Sequence, residues 1–246
     1  MSALTAIIGG TGLTSLSDLV IEKRESLTTH YGDPSSDLMF GKLHGHDIVF
    51  LARHGDPARV PPHRVNYRAN LWALKTAGVS SILAVAAVGG ITPAMAPSKI
   101  AVPDQIIDYT HGREHTFFAD NLRHVTHIDF THPYTPLLRE KLLASAKLAG
   151  IDVVNGGVYG CTQGPRLETP AEITRMERDG CDLVGMTGMP EAALARELEI
   201  AYACCAVVAN WAAGKQAGEI TMEEIEANLR QGMADLAGIL RHWVES

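Results

Sequence analysis

The 246-residue sequence has no cluster of basic residues: 21 Lys+Arg are scattered among 28 Asp+Glu, for a formal charge of -7. Binding along a phosphate backbone needs neighbouring cations that displace counterions, so nucleic acid is not an expected partner. The sequence also lacks any run of about 18 apolar residues, and its start lacks the basic-then-apolar pattern of a secretory leader. No membrane association is expected, and the cytoplasm is the expected compartment. Cysteine is scarce, with Cys161, Cys181, Cys204 and Cys205 showing no C-x-x-C spacing. They read as reduced packing residues, the adjacent pair within a buried strand.

Several familiar catalytic signatures are missing. Gly9-Gly10-Thr11-Gly12 lacks the G-x-x-x-x-G-K-[ST] of a P-loop, and from Gly10 the dinucleotide pattern fails where Ser15 replaces the last glycine. No G-x-S-x-G elbow is present to anchor a hydrolase triad. Of the eleven histidines, His111 and His115 have i,i+4 spacing, but Gly112 lies between them and H-E-x-x-H is absent. No metal is expected.

What remains is an ordinary globular composition, 46% hydrophobic and 20% charged, with a length suited to one α/β domain spanning residues 1–246. Residues 5–8 form a short β-type run ending at the glycine-rich turn, a place where a loop can face a ligand. Residues 38–43 and 47–52 flank His44-Gly45-His46 as a hairpin, and the second run ends in Arg53-His54-Gly55. Residues 81–88 are too continuously apolar for an exposed strand and belong in the middle of a sheet. Further strands are expected over 100–102, 157–161, 183–186 and 201–208. Helices are expected over 65–74, 133–148, 170–178, 190–199 and 221–244. This alternation predicts a mixed central β-sheet flanked by helices on both faces, with functional residues gathered in loops at strand ends.

Two motifs decide the matter: Thr162-Gln163-Gly164-Pro165-Arg166-Leu167-Glu168-Thr169 and Gly185-Met186-Thr187-Gly188-Met189-Pro190-Glu191. Through them the sequence resembles the trimeric nucleoside phosphorylases, the family of purine nucleoside and methylthioadenosine phosphorylases, and most closely the branch acting on methylthioinosine. Ile8-Gly9-Gly10-Thr11-Gly12, Arg53-His54-Gly55, Pro61-Pro62-His63, Asn66-Tyr67-Arg68-Ala69-Asn70 and Ala87-Val88-Gly89-Gly90 follow in family order. The resemblance runs nearly end to end. It implies the nucleoside phosphorylase fold, a homotrimer, and no cofactor, inorganic phosphate being a co-substrate.

The resemblance also implies roles. Thr11, Arg53, His54, Ala87 and Thr187 stand where the family holds phosphate. Ala86 is a departure, since many members carry threonine or asparagine there and gain a side-chain contact to phosphate or sugar. Met186 stands under the ribose, and Leu167 is a further substrate-binding residue. Met222 and Ile225 near the start of the last helix align with the 5' pocket, where inosine-cleaving relatives place a histidine. His127 aligns with a residue lent by a neighbouring subunit.

Asn210 and Glu168 align with the readers of the purine, and both are expected to be catalytic. The methylthioadenosine enzymes typically carry aspartates where this chain has Asn210 and Ala212. An amide donates to O6 and accepts from a protonated N7, although flipped it also suits an amino group. Glu168 discriminates further, because a 6-oxopurine offers N1–H as a donor and adenine offers only an acceptor. Facing adenine, the carboxylate would take up a proton or stay unpaired, and an uncompensated buried charge costs about 3–5 kcal/mol. These residues favour 5'-methylthioinosine. Inosine or guanosine phosphorylase, methylthioadenosine phosphorylase, a water-using nucleosidase and a non-enzymatic purine-binding protein are the alternatives.

Overall fold

The computed structural model describes residues 4–10, 19–120 and 122–245. Its centre is the long apolar run, which forms the 12-residue strand β5 (Val79–Gly90). On one side β5 pairs in parallel with β11 (Ala201–Trp211), and on the other with β1 (Leu4–Gly9). Beyond β1 the sheet continues through β4 (His46–Ala52), β3 (Leu38–Leu43) and β2 (Leu19–Glu25). The β3–β4 hairpin turns at His44 and Gly45, both at positive φ (48° and 86°), as a two-residue hairpin turn matching strand twist requires. β6 (Ile100–Val102) and β8 (Val153–Asn155) extend the sheet from β11.

The feature that creates a site is a change of neighbour along β5. Its pairing with β1 ends at Ala84, and an antiparallel pairing with β10 (Leu183–Gly185) begins at Gly89. β10 leads on to β9 (Val158–Cys161) and β7 (Gln105–Asp108). Residues 85–88 therefore face a split in the sheet, the kind of place where α/β folds bind ligands.

Helices cover both faces. α1 (Tyr67–Thr76) and α4 (Gly188–Glu197) bury Leu71, Leu74, Leu194 and Ala195 against one side. α2 (Pro136–Leu148) and α5 (Met222–Glu245) bury Leu138, Leu142, Leu236, Leu240 and Trp243 against the other. α3 (Pro170–Arg178) packs Ile173 and Met176 on a third, smaller cluster with Val184 and Ala212. The architecture is the mixed, doubly covered sheet expected. Three strands escape the sequence pattern: β2, whose residues are mostly half-buried or exposed, and the short β7 and β8. Among the described residues no helix is long and apolar enough to cross a membrane.

All four cysteines are buried and free. Burial pushes the thiols of Cys161 and Cys205 up to about 12, and that of Cys204 higher still, so these three are uncharged packing groups at neutral pH.

Candidate active site

A cavity of about 280 Å³ occupies the split, lined by Arg53, His54, residues 85–89, Leu167, Glu168, Met186, Thr187, Asn210 and Ile225 among others. Residues distant in sequence thus meet on one space. Thr11 lies outside the described residues.

Arg53 follows β4 and is fully buried, and Glu191 of α4 explains why this is tolerated. The guanidinium donates from Nε to Glu191 Oε2 at 2.7 Å and from Nη2 to Oε1 at 2.8 Å, while Tyr202 donates to the same carboxylate at 2.9 Å. A third bond runs from Nη1 to the Val85 carbonyl at 2.9 Å, closing one of the backbone groups exposed by the split. Three of five N–H groups are thereby used and the fork is held against the cavity wall.

His54 is half-buried beside it. Its Nδ1 lies 2.8 Å from the Val60 carbonyl, which makes Nδ1 the donor and leaves Nε2 for the cavity. Burial and then the Arg53 charge hold its pKa below the ordinary imidazole value. On the facing wall, Thr187 is buried where β10 runs into α4, and its side chain makes no cap bond to the helix. Met189 leaves helical backbone (φ −120°, ψ 139°), so the helix proper starts at Pro190. On β5, Ala87 is exposed between buried Ala86 and Val88, and all three line the cavity.

At the opposite end, Glu168 Oε1 accepts a 2.6 Å hydrogen bond from Thr162 Oγ1. Its position follows from α3, which starts just after it with a complete capping box between Thr169 and Glu172 and with proline in the first turn. Arg166 braces the same loop by bidentate bonds to Glu172 at 2.7 and 2.8 Å, and this partner draws the Glu172 carboxyl down to about 2. Glu168 also borders a second, more polar cleft of about 660 Å³.

Asn210 is buried near the end of β11. Its Nδ2 donates to the Trp211 carbonyl at 2.7 Å. One N–H is thus committed to backbone, and a flipped amide would set oxygen against oxygen. The remaining N–H and Oδ1 are a donor and an acceptor for a ligand.

The sugar end requires a correction. Met222 is 66% exposed on the first turn of α5 and does not line the cavity. Ile225 does, and so do Leu229 and Met233, at i+4 and i+8 from it, together with Ile220. Met222 stands on the same helical face as this row, three residues before Ile225, but as the first residue of α5 it is exposed and outside the lining. Leu167 is 47% exposed yet borders the cavity, Met186 is half-buried within it, and His127 is exposed and not part of this chain's own cavity wall.

Arg113, between the two histidines of i,i+4 spacing, is a residue that sequence motifs do not single out. It is buried, stacks on Tyr67 at 5.4 Å, and donates to the carbonyls of Thr162, Gln163, Met186 and Met189. Arg113 so ties the loop leading to Glu168 to the segment carrying Met186 and Thr187. No local sequence pattern signals this role, which rests on partners 49 to 76 residues away.

Comparison with known proteins agrees with this geometry. A family model described as the phosphorylase superfamily matches residues 5–245. A protein of Pseudomonas syringae named "Probable S-methyl-5'-thioinosine phosphorylase" is 60% identical over 235 residues, covering 96% of each chain. One of the same name from Xanthomonas campestris is 54% identical, covering 97% of each. Among solved structures, a methylthioadenosine phosphorylase from an antarctic soil metagenomic library superposes with a TM-score of 0.92 at 36% identity, covering 99% of this chain and 85% of the other. Matched along nearly its whole length in sequence and fold, this chain belongs to the phosphorylase superfamily, within its nucleoside phosphorylases.

Proposed function

We propose that the chain catalyses phosphorolysis of 5'-methylthioinosine to hypoxanthine and 5-methylthioribose 1-phosphate, a step of purine salvage. The observation that carries this reading is the meeting of Asn210 and Glu168 in one cavity with the apolar wall of Ile225, Leu229 and Met233. The names of the relatives point the same way.

The reaction breaks the bond between the anomeric carbon and N9, and a phosphate oxygen forms the new bond to that carbon. Its transition state has oxocarbenium character, so the bound phosphate offsets developing positive charge while the departing purine takes the electron pair. Arg53, His54, Ala87, Thr187 and Thr11 hold the phosphate in this reading. The departing purine takes up one proton from solvent at N7; Asn210 accepts from that N7–H and donates to O6, and Glu168 accepts from N1–H. Met186 and Leu167 pack against sugar and base. Phosphate enters as co-substrate, and no other cofactor is required. The enzyme acts as a homotrimer in the cytoplasm, with His127 of a neighbouring copy reaching the sugar.

Incubation with methylthioinosine and isotopically labelled phosphate tests this: label is expected in methylthioribose 1-phosphate in equal amount to hypoxanthine. Base release without phosphate would replace this reading with a nucleosidase.

A further inference from the structure

β11 carries one irregularity. Its parallel ladder with β5 pairs Val208 with Val88 and Asn210 with Gly89, so Ala209 is an extra residue with no opposite number. Bulges are rare in parallel pairs, and they re-aim the side chains that follow. Here the effect is visible in the cavity lining, which takes Val207 and Ala209 and then, after the shift, Asn210 and Ala212. Strict alternation from Val207 would have turned Asn210 to the other face of the sheet.

A bulged strand leaves backbone groups outside the ladder, and these need partners when buried. Asn228 supplies one from α5: its Nδ2 donates to the Ala209 carbonyl at 2.8 Å. Its Oδ1 in turn accepts from Ser98 Oγ at 3.0 Å. Ser98 holds a left-handed backbone conformation, φ 69°, and its own N–H donates to the Val208 carbonyl at 2.8 Å. One turn further along α5, a Cβ on Gly232 would come within 2.3 Å of Val207 Cγ1, so helix and strand lie in close contact. The amide therefore reaches the bulge from a firmly seated helix.

We infer that Asn228 is a positioning residue for base recognition: by holding the Ala209 bulge it turns Asn210 toward the purine. The inference rests on the proposed reading of Asn210. It also places the base reader under control of the helix whose Ile225 and Leu229 form the sugar wall.

The test compares wild type with Asn228→Asp, nearly isosteric but without the donor, and with Ser98→Ala, which removes only the bond orienting Asn228. For Asn228→Asp the expected result is a fall of about tenfold in kcat for methylthioinosine, the worth of one such hydrogen bond, and a narrowed preference over methylthioadenosine. The phosphate KM stays unchanged, and Ser98→Ala gives a smaller change of the same kind. Folded variants that keep the wild-type kcat and base preference overturn the inference, whatever their melting temperature. If wild type itself shows no preference for the 6-oxopurine, the substrate assignment fails instead. The Asn210 side-chain amide resonances, recorded without substrate, then decide: a shift in Asn228→Asp supports positioning, and unmoved resonances overturn it.

Discussion

Glu191 grips Arg53 through two parallel hydrogen bonds of 2.7 and 2.8 Å, with both side chains buried. A buried pair of this kind is costly to break because the survivor keeps its charge without a partner. Glu191→Ala is expected to lower unfolding stability by about 3–5 kcal/mol, measured by urea denaturation. Glu191→Gln, which keeps the shape and one acceptor, should cost less and should raise the KM for phosphate while sparing that for nucleoside. An unchanged phosphate KM in folded Glu191→Gln would separate Arg53 from the anion.

The lowered pKa of His54 has a signed consequence for stability. In the unfolded chain the imidazole binds a proton near pH 6.5, whereas in the folded protein burial and Arg53 delay protonation to lower pH. The unfolded state thus binds more protons between the two values, and stability present above pH 6.5 is lost as pH falls through the folded value. His54→Asn should flatten the acid limb of a plot of stability against pH. Parallel curves for wild type and variant would contradict the assignment.

The sugar end distinguishes two neighbours on one helix. Met222→His should leave the kcat/KM for both inosine and methylthioinosine unaltered, because Met222 faces solvent. Ile225→Ala should lower that for methylthioinosine by about tenfold, the equivalent of roughly 1.4 kcal/mol of lost apolar contact, and hardly affect inosine. Steady-state kinetics on the two nucleosides decide between these outcomes and the reverse.

Arg113 binds four carbonyls, and lysine cannot reproduce its planar fork. Arg113→Lys should lower both melting temperature and kcat/KM, and Arg113→Met more so, since each buried carbonyl left without a donor costs about 1–3 kcal/mol. Added guanidinium at low concentration should restore activity to Arg113→Met but not to Glu168→Gln. Equal response of the two variants would refute the cross-linking role.

Much of the fold is legible in the amino-acid sequence. The continuous apolar runs of β5 and β11 point to a central sheet, and Thr169-Pro170-Ala171-Glu172 marks the start of α3 to the residue. Short edge strands such as β7 and β8 carry too few residues for a periodic signal, and β2 runs from three apolar residues straight into four charged ones with no alternation. The cavity's Arg53, His54, Glu168 and Asn210 stand out because their motifs resemble a family. Helical periodicity puts Met222 on the face of Ile225, Leu229 and Met233, and only the folded chain shows that this first residue of α5 stays exposed outside the cavity. Glu191 escapes for a different reason: it meets Arg53 across 138 residues, and no local pattern encodes such a contact. The Ala209 bulge is likewise invisible, since only the ladder with β5 reveals the extra residue.

The most direct test of the account is a competition in one vessel. Wild-type enzyme, phosphate and equimolar 5'-methylthioinosine and 5'-methylthioadenosine are mixed at neutral pH, and hypoxanthine and adenine are followed together. A site built to hydrogen-bond N1–H can reject the analogue lacking it by up to about 10⁴-fold, and the locked Asn210 amide acts in the same direction. The account predicts that hypoxanthine appears far ahead of adenine, and only when phosphate is present. Comparable release of the two bases would contradict it and return the enzyme to the methylthioadenosine phosphorylases.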